Sequence, residues 1–261
     1  MDAVMDLATL SFANVLILAL AGLIAGTVNA VAGGGTFFTF SALVFVGIPP
    51  VPANATSAVA LTPSNLSSVA AYLPEIKLHW RRYAALAIAS AIGGYLGAQL
   101  LLATPAKAFI ALVPWFLGFA TLLFATGPML RKGIDAISSG PGTPGRRLLG
   151  IVLQFIVSIY GGYFGAGMGI IMLAALSVAE GDDYHFINAA KNICATLIQI
   201  FALISFVESG IVHWAAGLIA GVGSVAGGYY GVSLARRVPQ SVMRWFVVGV
   251  GALLTARFAL A

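Results

Sequence analysis

Four polar residues recur twice along this chain at the same spacing. Asn54, Ser57, Thr62 and Asn65 lie at offsets of 3, 8 and 11, and Asn188, Lys191, Thr196 and Gln199 repeat those offsets. Such offsets return to one face of a helix. On an apolar helix a polar stripe has two uses: hydrogen bonds that hold neighbouring helices together, or a wall for a cavity that takes up a polar substrate. Lys191 carries the most chemistry. It sits inside an apolar run, whereas the acidic residues Asp2, Asp6, Glu75, Asp135, Glu180, Asp182, Asp183 and Glu208 all fall in expected tails and loops. Either its stem snorkels the ammonium to a membrane surface, or an anionic substrate meets the charge.

Upstream of each stripe the backbone carries clustered glycines. Gly33, Gly34 and Gly35 interrupt AVAGGGTFFTF, and Gly165, Gly167 and Gly169 interrupt YGGYFGAGMGIIML. Each glycine weakens a helix by about 1 kcal/mol relative to alanine, and in hydrocarbon the freed backbone groups must be met internally. The sequence therefore predicts a broken helix at each cluster, followed by a short helix. The N-terminal N–H groups of that helix, with about half a positive charge, would attract an anion. Close helix packing through small residues is the competing use. The anion-binding reading assigns the site to Gly33, Gly34, Gly35, Asn54, Ser57, Thr62, Asn65, Gly167, Gly169, Asn188, Lys191, Asn192, Thr196 and Gln199. Gly165-x-Gly167-x-Gly169 lacks the spacing and the strand–helix setting of a dinucleotide fingerprint.

The elements that must position these residues are membrane helices. Of 261 residues, 60% are hydrophobic and 8% charged, and the mean hydropathy is +1.00, far from the charge content of soluble domains. Apolar runs long enough to span a bilayer are read at 11–31, 53–73, 83–103, 106–127, 147–166, 186–207, 213–235 and 240–260. Two runs of about half that length, 36–46 and 170–179, suit half-helices. The N-terminus carries Asp2 and Asp6, and no Lys or Arg precedes Lys77, so the first helix is not read as a cleaved signal. The single cysteine, Cys194, forms no intramolecular disulfide and reads as a packed thiol. The net charge of +5 comes mostly from short connections, where it sets orientation, and does not point to nucleic acid. No cofactor or ATP-binding motif is present.

The chain is also duplicated. At an offset of 134 residues, Ala32–Pro105 falls on Ala166–Pro239 without a gap, aligning His79-Trp80 with His213-Trp214 and Gly93-Gly94-Tyr95-x-Gly97 with Gly227-Gly228-Tyr229-x-Gly231. Between the halves, Gly127–Gly145 reads as a linker. Arg131, Lys132, Arg146 and Arg147 lie in it or just after it and mark it as cytoplasmic. Equivalent connections of the two halves carry opposite charge: Arg81-Arg82 aligns with Ala215-Ala216, and Leu102-Ala103 with Arg236-Arg237. That asymmetry predicts two inverted-topology repeats. The expected fold is an all-α polytopic membrane protein with about eight full spans and two short glycine-broken half-helices. It divides into a first repeat (1–130), a cytoplasmic linker (131–145) and a second repeat (146–261), with both termini periplasmic.

The run Ala25–Leu61, AGTVNAVAGGGTFFTFSALVFVGIPPVPANATSAVAL, resembles the first-repeat signature of the sulfite exporter TauE/SafE family of bacterial membrane permeases. It has a glycine cluster, a short apolar segment, Gly-x-Pro, then Ala-x-Ala-Thr-Ser. The second repeat departs more, with Gly-Ala-Gly-Met-Gly for the cluster and Lys191-Asn192 in place of Ser57-Ala58. The resemblance implies an inner-membrane secondary transporter of sulfite, sulfoacetate or related organosulfonates; the partners expected are a small anion and the lipid bilayer, with a homodimer as a candidate assembly. Two readings compete. A metal or other cation permease would need intramembrane carboxylates, and an intramembrane enzyme would need an acid–base pair or activated nucleophile at depth. His79 and His213 precede Trp at span boundaries and suit an aromatic belt better than a proton relay. Asp182, Asp183 and His185 could ligate a metal, but acidic residues before a helix more often cap it.

Overall fold

The computed structural model describes residues 10–31, 34–71, 73–137, 144–180, 184–235 and 240–260. They form helices α1 (Phe12–Val31), α2 (Thr36–Phe45), α3 (Pro50–Ala71), α4 (Leu73–Ala103), α5 (Ala106–Ile137), α6 (Pro144–Tyr163), α7 (Met168–Glu180), α8 (Tyr184–Glu208), α9 (Trp214–Ala235) and α10 (Gln240–Ala259). Each apolar run of the sequence lies in a helix of its own, and the two half-length runs are α2 and α7. Among the described residues, four stretches are long and apolar enough to cross a membrane by length and composition: Phe12–Asn29, Tyr83–Ala103, Ala106–Gly127 and Phe186–Glu208. Large apolar side chains such as Trp115, Leu122, Val222 and Leu253 stand on the exterior.

Several helices run past the ends set by hydropathy. Helix α5 continues to Ile137, and α6 begins at Pro144, so most of the expected linker is helical. Helix α4 begins at Leu73, so Glu75 lies in a helix rather than a loop, as do Asp135 in α5 and the helix-ending Glu180 and Glu208. Hydropathy reads only the apolar part of a helix, while backbone hydrogen bonding carries on through polar turns.

Glycine seams join helices across the two halves. A Cβ on Gly22 or Gly26 of α1 would fall on the carbonyl oxygen of Ala220 or Ser224 in α9, and one on Gly227 would fall on that of Leu23. Only hydrogen fits there, so the backbones come closer than any larger residue would permit. The paired numbers rise together, so α1 and α9 run parallel. Thr27 adds a hydrogen bond across the seam, its hydroxyl donating to the Gly227 carbonyl at 3.1 Å. Helices α4 and α6 repeat the device: Gly97 meets the Ile159 carbonyl, and Gly162 that of Gly94. The 134-residue offset carries α1 onto α6 and α4 onto α9, so the two seams exchange. Another pair of counterparts, α5 and α10, packs antiparallel, with Gly118 against Thr255 and Gly251 against Thr121.

Helix α2 is buried along most of its length, with Phe37, Phe40 and Leu43 fully enclosed. Phe40 meets Phe164 edge to face at 5.2 Å between centroids, and Phe116 stacks on Phe164 at 5.1 Å. Through these rings α2 of the first half bears on the chain at the second glycine cluster.

Candidate functional site

Both glycine clusters break the helix. Between α1 and α2, Gly34 takes φ +123°, and between α6 and α7, Gly165 and Gly167 take φ +75° and +72°. Residues with a side chain rarely adopt such angles. The breaks also meet: a Cβ on Gly34 would stand 3.3 Å from the amide nitrogen of Gly167, and one on Gly165 would stand 3.8 Å from the Thr36 hydroxyl.

Polar side chains brace the freed backbone. Asn29, in the last turn of α1, accepts from the Gly34 amide at 3.3 Å and donates to Asn65 Oδ1 of α3 at 2.7 Å. At the second break, Asn54 donates to the Tyr163 carbonyl at 2.9 Å, and the Tyr160 hydroxyl donates to the Ala166 carbonyl at 2.6 Å. The Ser57 hydroxyl pairs with Thr39, whose hydroxyl also lies 3.4 Å from the Gly35 carbonyl, so Ser57 sits one turn from the first break. Each break thus presents two helix ends, the carbonyl end of α1 or α6 and the amide end of α2 or α7. Their half charges are opposite in sign. The breaks therefore offer acceptors beside the donors that the sequence led us to expect.

The remaining stripe residues divide between packing and openness. Thr62 bonds back to its own helix, its hydroxyl donating to the Ala58 carbonyl at 2.8 Å. Gln199 of α8 crosses to α3 and donates to the same carbonyl at 3.2 Å. Asn188 is buried, Asn192 half-buried, and Gly169 is buried as the second residue of α7. Gly33 lies outside the described residues. Among the described residues, two buried stripe atoms have no hydrogen-bond partner, Asn54 Oδ1 and Thr196 Oγ1.

Lys191 is 7% exposed, in the stretch of α8 where Ile187, Ala190 and Cys194 pack in one cluster with Met168 and Met172 of α7. It is the one charged residue among the buried ones described. No hydrogen bond or ion pair to its ammonium is found among the described residues. Asn29, Thr39 and Tyr160 were not singled out from sequence. The signal for Asn29 was there, an amide five residues before a glycine inside an apolar helix, but nothing in the sequence names its partner.

The other candidates resolve less. Among the described residues no three His, Cys, Asp or Glu side chains come together as metal ligands, and Asp182 and Asp183 lie outside those residues. Trp80, two turns into α4, and Trp214, the first residue of α9, stand exposed. The His213 backbone amide donates to Thr56 Oγ1 at 3.0 Å, and partial burial lowers the pKa of its imidazole.

An all-helical body with an apolar exterior, broken helices and polar groups held at the breaks defines a multi-pass membrane protein of the transporter kind. Residues 18–258 match the model of the sulfite exporter TauE/SafE family, and the chain belongs to that family. It is 26% identical over 255 residues to a probable membrane transporter protein, ORF9, of Sinorhizobium sp, covering 95% of this chain and 93% of that one. It is 27% identical to the probable membrane transporter protein YunE of Bacillus subtilis, with 90% and 95% covered, and 24% identical to a probable membrane transporter protein of Haemophilus influenzae, with 90% and 91% covered. No solved structure matches it significantly. Family and relatives together place the chain among membrane transporters rather than enzymes.

Proposed function

We propose that this protein is a secondary transporter of small sulfur-containing anions, such as sulfite or organosulfonates, across the bacterial inner membrane, working by alternating access. The observation that carries the reading is the meeting of the two glycine breaks, Gly34 against Gly167, in a chain that also buries Lys191. Broken helices that face each other where two repeats meet are the recurrent binding arrangement of secondary transporters. The family's name supplies the sulfur oxyanion. The site comprises the two breaks with Asn54, Ser57, Asn65, Asn188, Thr196, Gln199 and Lys191.

Inverted topology supports this mechanism. Helices α5 and α10 are each other's counterparts under the duplication and pack antiparallel. A two-fold axis that exchanges antiparallel helices lies perpendicular to them, hence in the membrane plane, and not along the membrane normal. The charge pattern supports a topology with both termini in the periplasm and the connection at 138–143 in the cytoplasm.

A binding screen of the purified protein against sulfite, taurine, sulfate and divalent cations tests the function. Anion binding is expected, and divalent-cation binding without anion binding would overturn it. Accessibility labelling is expected to place residues 138–143 in the cytoplasm; labelling from outside would refute the topology.

A further inference from the structure

We infer that the site selects anions by charge and takes a monoanion, an alkylsulfonate or the singly charged form of an oxyanion, in preference to a dianion. The inference rests on the transporter reading above and asks how much negative charge its site can hold.

Three observations set that amount. First, each glycine break joins a helix C-terminus to a helix N-terminus: α1 ends at Val31 and α2 begins at Thr36, α6 ends at Tyr163 and α7 begins at Met168. The half charges cancel at each break. Second, the side chains that brace the breaks, Asn29, Asn54, Asn65 and Tyr160, are neutral, as are Thr39 and Ser57 beside them. Third, Lys191 supplies the one buried charge among the described residues and makes no ion pair there.

The duplication locates Lys191. Its counterpart is Ser57, which touches Thr39 one turn past the first break. Position 191 therefore belongs beside α7 one turn past the second break, and the clustering of neighbouring α8 residues with Met168 and Met172 of α7 agrees. Lysine at this place in one repeat only gives the described residues of the centre a charge of plus one. A monoanion neutralises it. A dianion leaves one uncompensated negative charge in a low-dielectric interior, where burial of a net charge is strongly opposed.

The test compares ethanesulfonate, sulfoacetate and ethyl methyl sulfone on the purified full chain, by calorimetry at one pH where sulfonate and carboxylate are both ionised. The three share a small sulfur–oxygen head and carry charges of minus one, minus two and zero. Ethanesulfonate is expected to bind at least roughly tenfold more tightly than either of the others, an unpaired buried charge being the penalty in both failures. In Lys191→Met the advantage of ethanesulfonate over the sulfone is expected to vanish, and in Lys191→Arg to persist. Sulfoacetate binding as tightly as ethanesulfonate would overturn the charge rule and leave the transporter reading standing. An unchanged order in a folded Lys191→Met would overturn the role of the lysine. Absence of binding by all three, with no sulfite binding in the screen above, would overturn the transporter reading itself.

Discussion

Gly34→Ala tests the geometry at the meeting point of the two breaks. The φ of +123° at Gly34 is closed to a residue with a Cβ, and holding alanine there costs about 1–3 kcal/mol. The new methyl would also stand 2.6 Å from Phe124 Cζ and 2.9 Å from its Cε2. Phe124 is 3% exposed, so its ring has no free space to retreat into, and overpacking of that kind costs about a further 1–3 kcal/mol. The expected loss is therefore about 2–6 kcal/mol. The steric part separates from the backbone part in a double-mutant cycle. Phe124→Ala alone loses about 3–5 kcal/mol through the cavity it leaves, but it removes the ring that alanine 34 would strike. The double variant should thus be more stable than additivity predicts by about 1–3 kcal/mol. Reversible unfolding of purified protein in mixed micelles, followed by helical circular dichroism, measures all four corners. Additivity within about 0.5 kcal/mol would show that the ring does not bear on Gly34. A harmless Gly34→Ala would refute the left-handed backbone.

Three further outcomes follow from other parts of the molecule. Gly227→Leu would force a side chain onto the Leu23 carbonyl and part the α1–α9 seam. It should lose about 3 kcal/mol or more by the same unfolding assay, whereas Gly249→Leu, inside α10 with open space around it, should cost nothing and gain up to about 1 kcal/mol from helix propensity. Asn65→Ala removes the acceptor for Asn29 and should lose about 1–3 kcal/mol, and adding Asn29→Ala should cost a further increment, because it also leaves the Gly34 amide without its acceptor. His213 has a folded pKa lowered by burial. The unfolded chain therefore takes up its proton first, and stability falls as pH drops below the unfolded value of about 6.5. A His213→Gln variant should lose that part of the pH dependence of the thermal midpoint.

The helices were legible because a membrane span is a compositional signal that needs no partner to be read. The breaks were legible too, since three adjacent glycines have few other uses within hydrocarbon. Where the reading stopped short, the missing information was tertiary. The offsets of Asn54, Ser57 and Asn65 announce a shared face, but one of these residues holds the second break, one lies at the first, and one reaches the first through Asn29. Glycines at seam positions such as Gly22 and Gly227 look alike in sequence, and only packing shows that α1 closes on α9 rather than on a helix of its own half. The ends of α4 and α5 were missed because their polar turns are held by backbone bonding that hydropathy does not see.

The crossed seams also govern how the protein can come into being. Helix α1 leaves the ribosome long before its glycine-lined partner α9, and α4 before α6, so the first half is inserted with two bare backbone grooves that nothing in that half can fill. Until the second half arrives those grooves stand open to lipid or to the grooves of another nascent chain, the kind of exposed intermediate from which misassembly starts. A cut within 138–143 would accordingly yield two fragments that complete each other, not two independent domains. Each would have to be made in the presence of the other to reach its folded state.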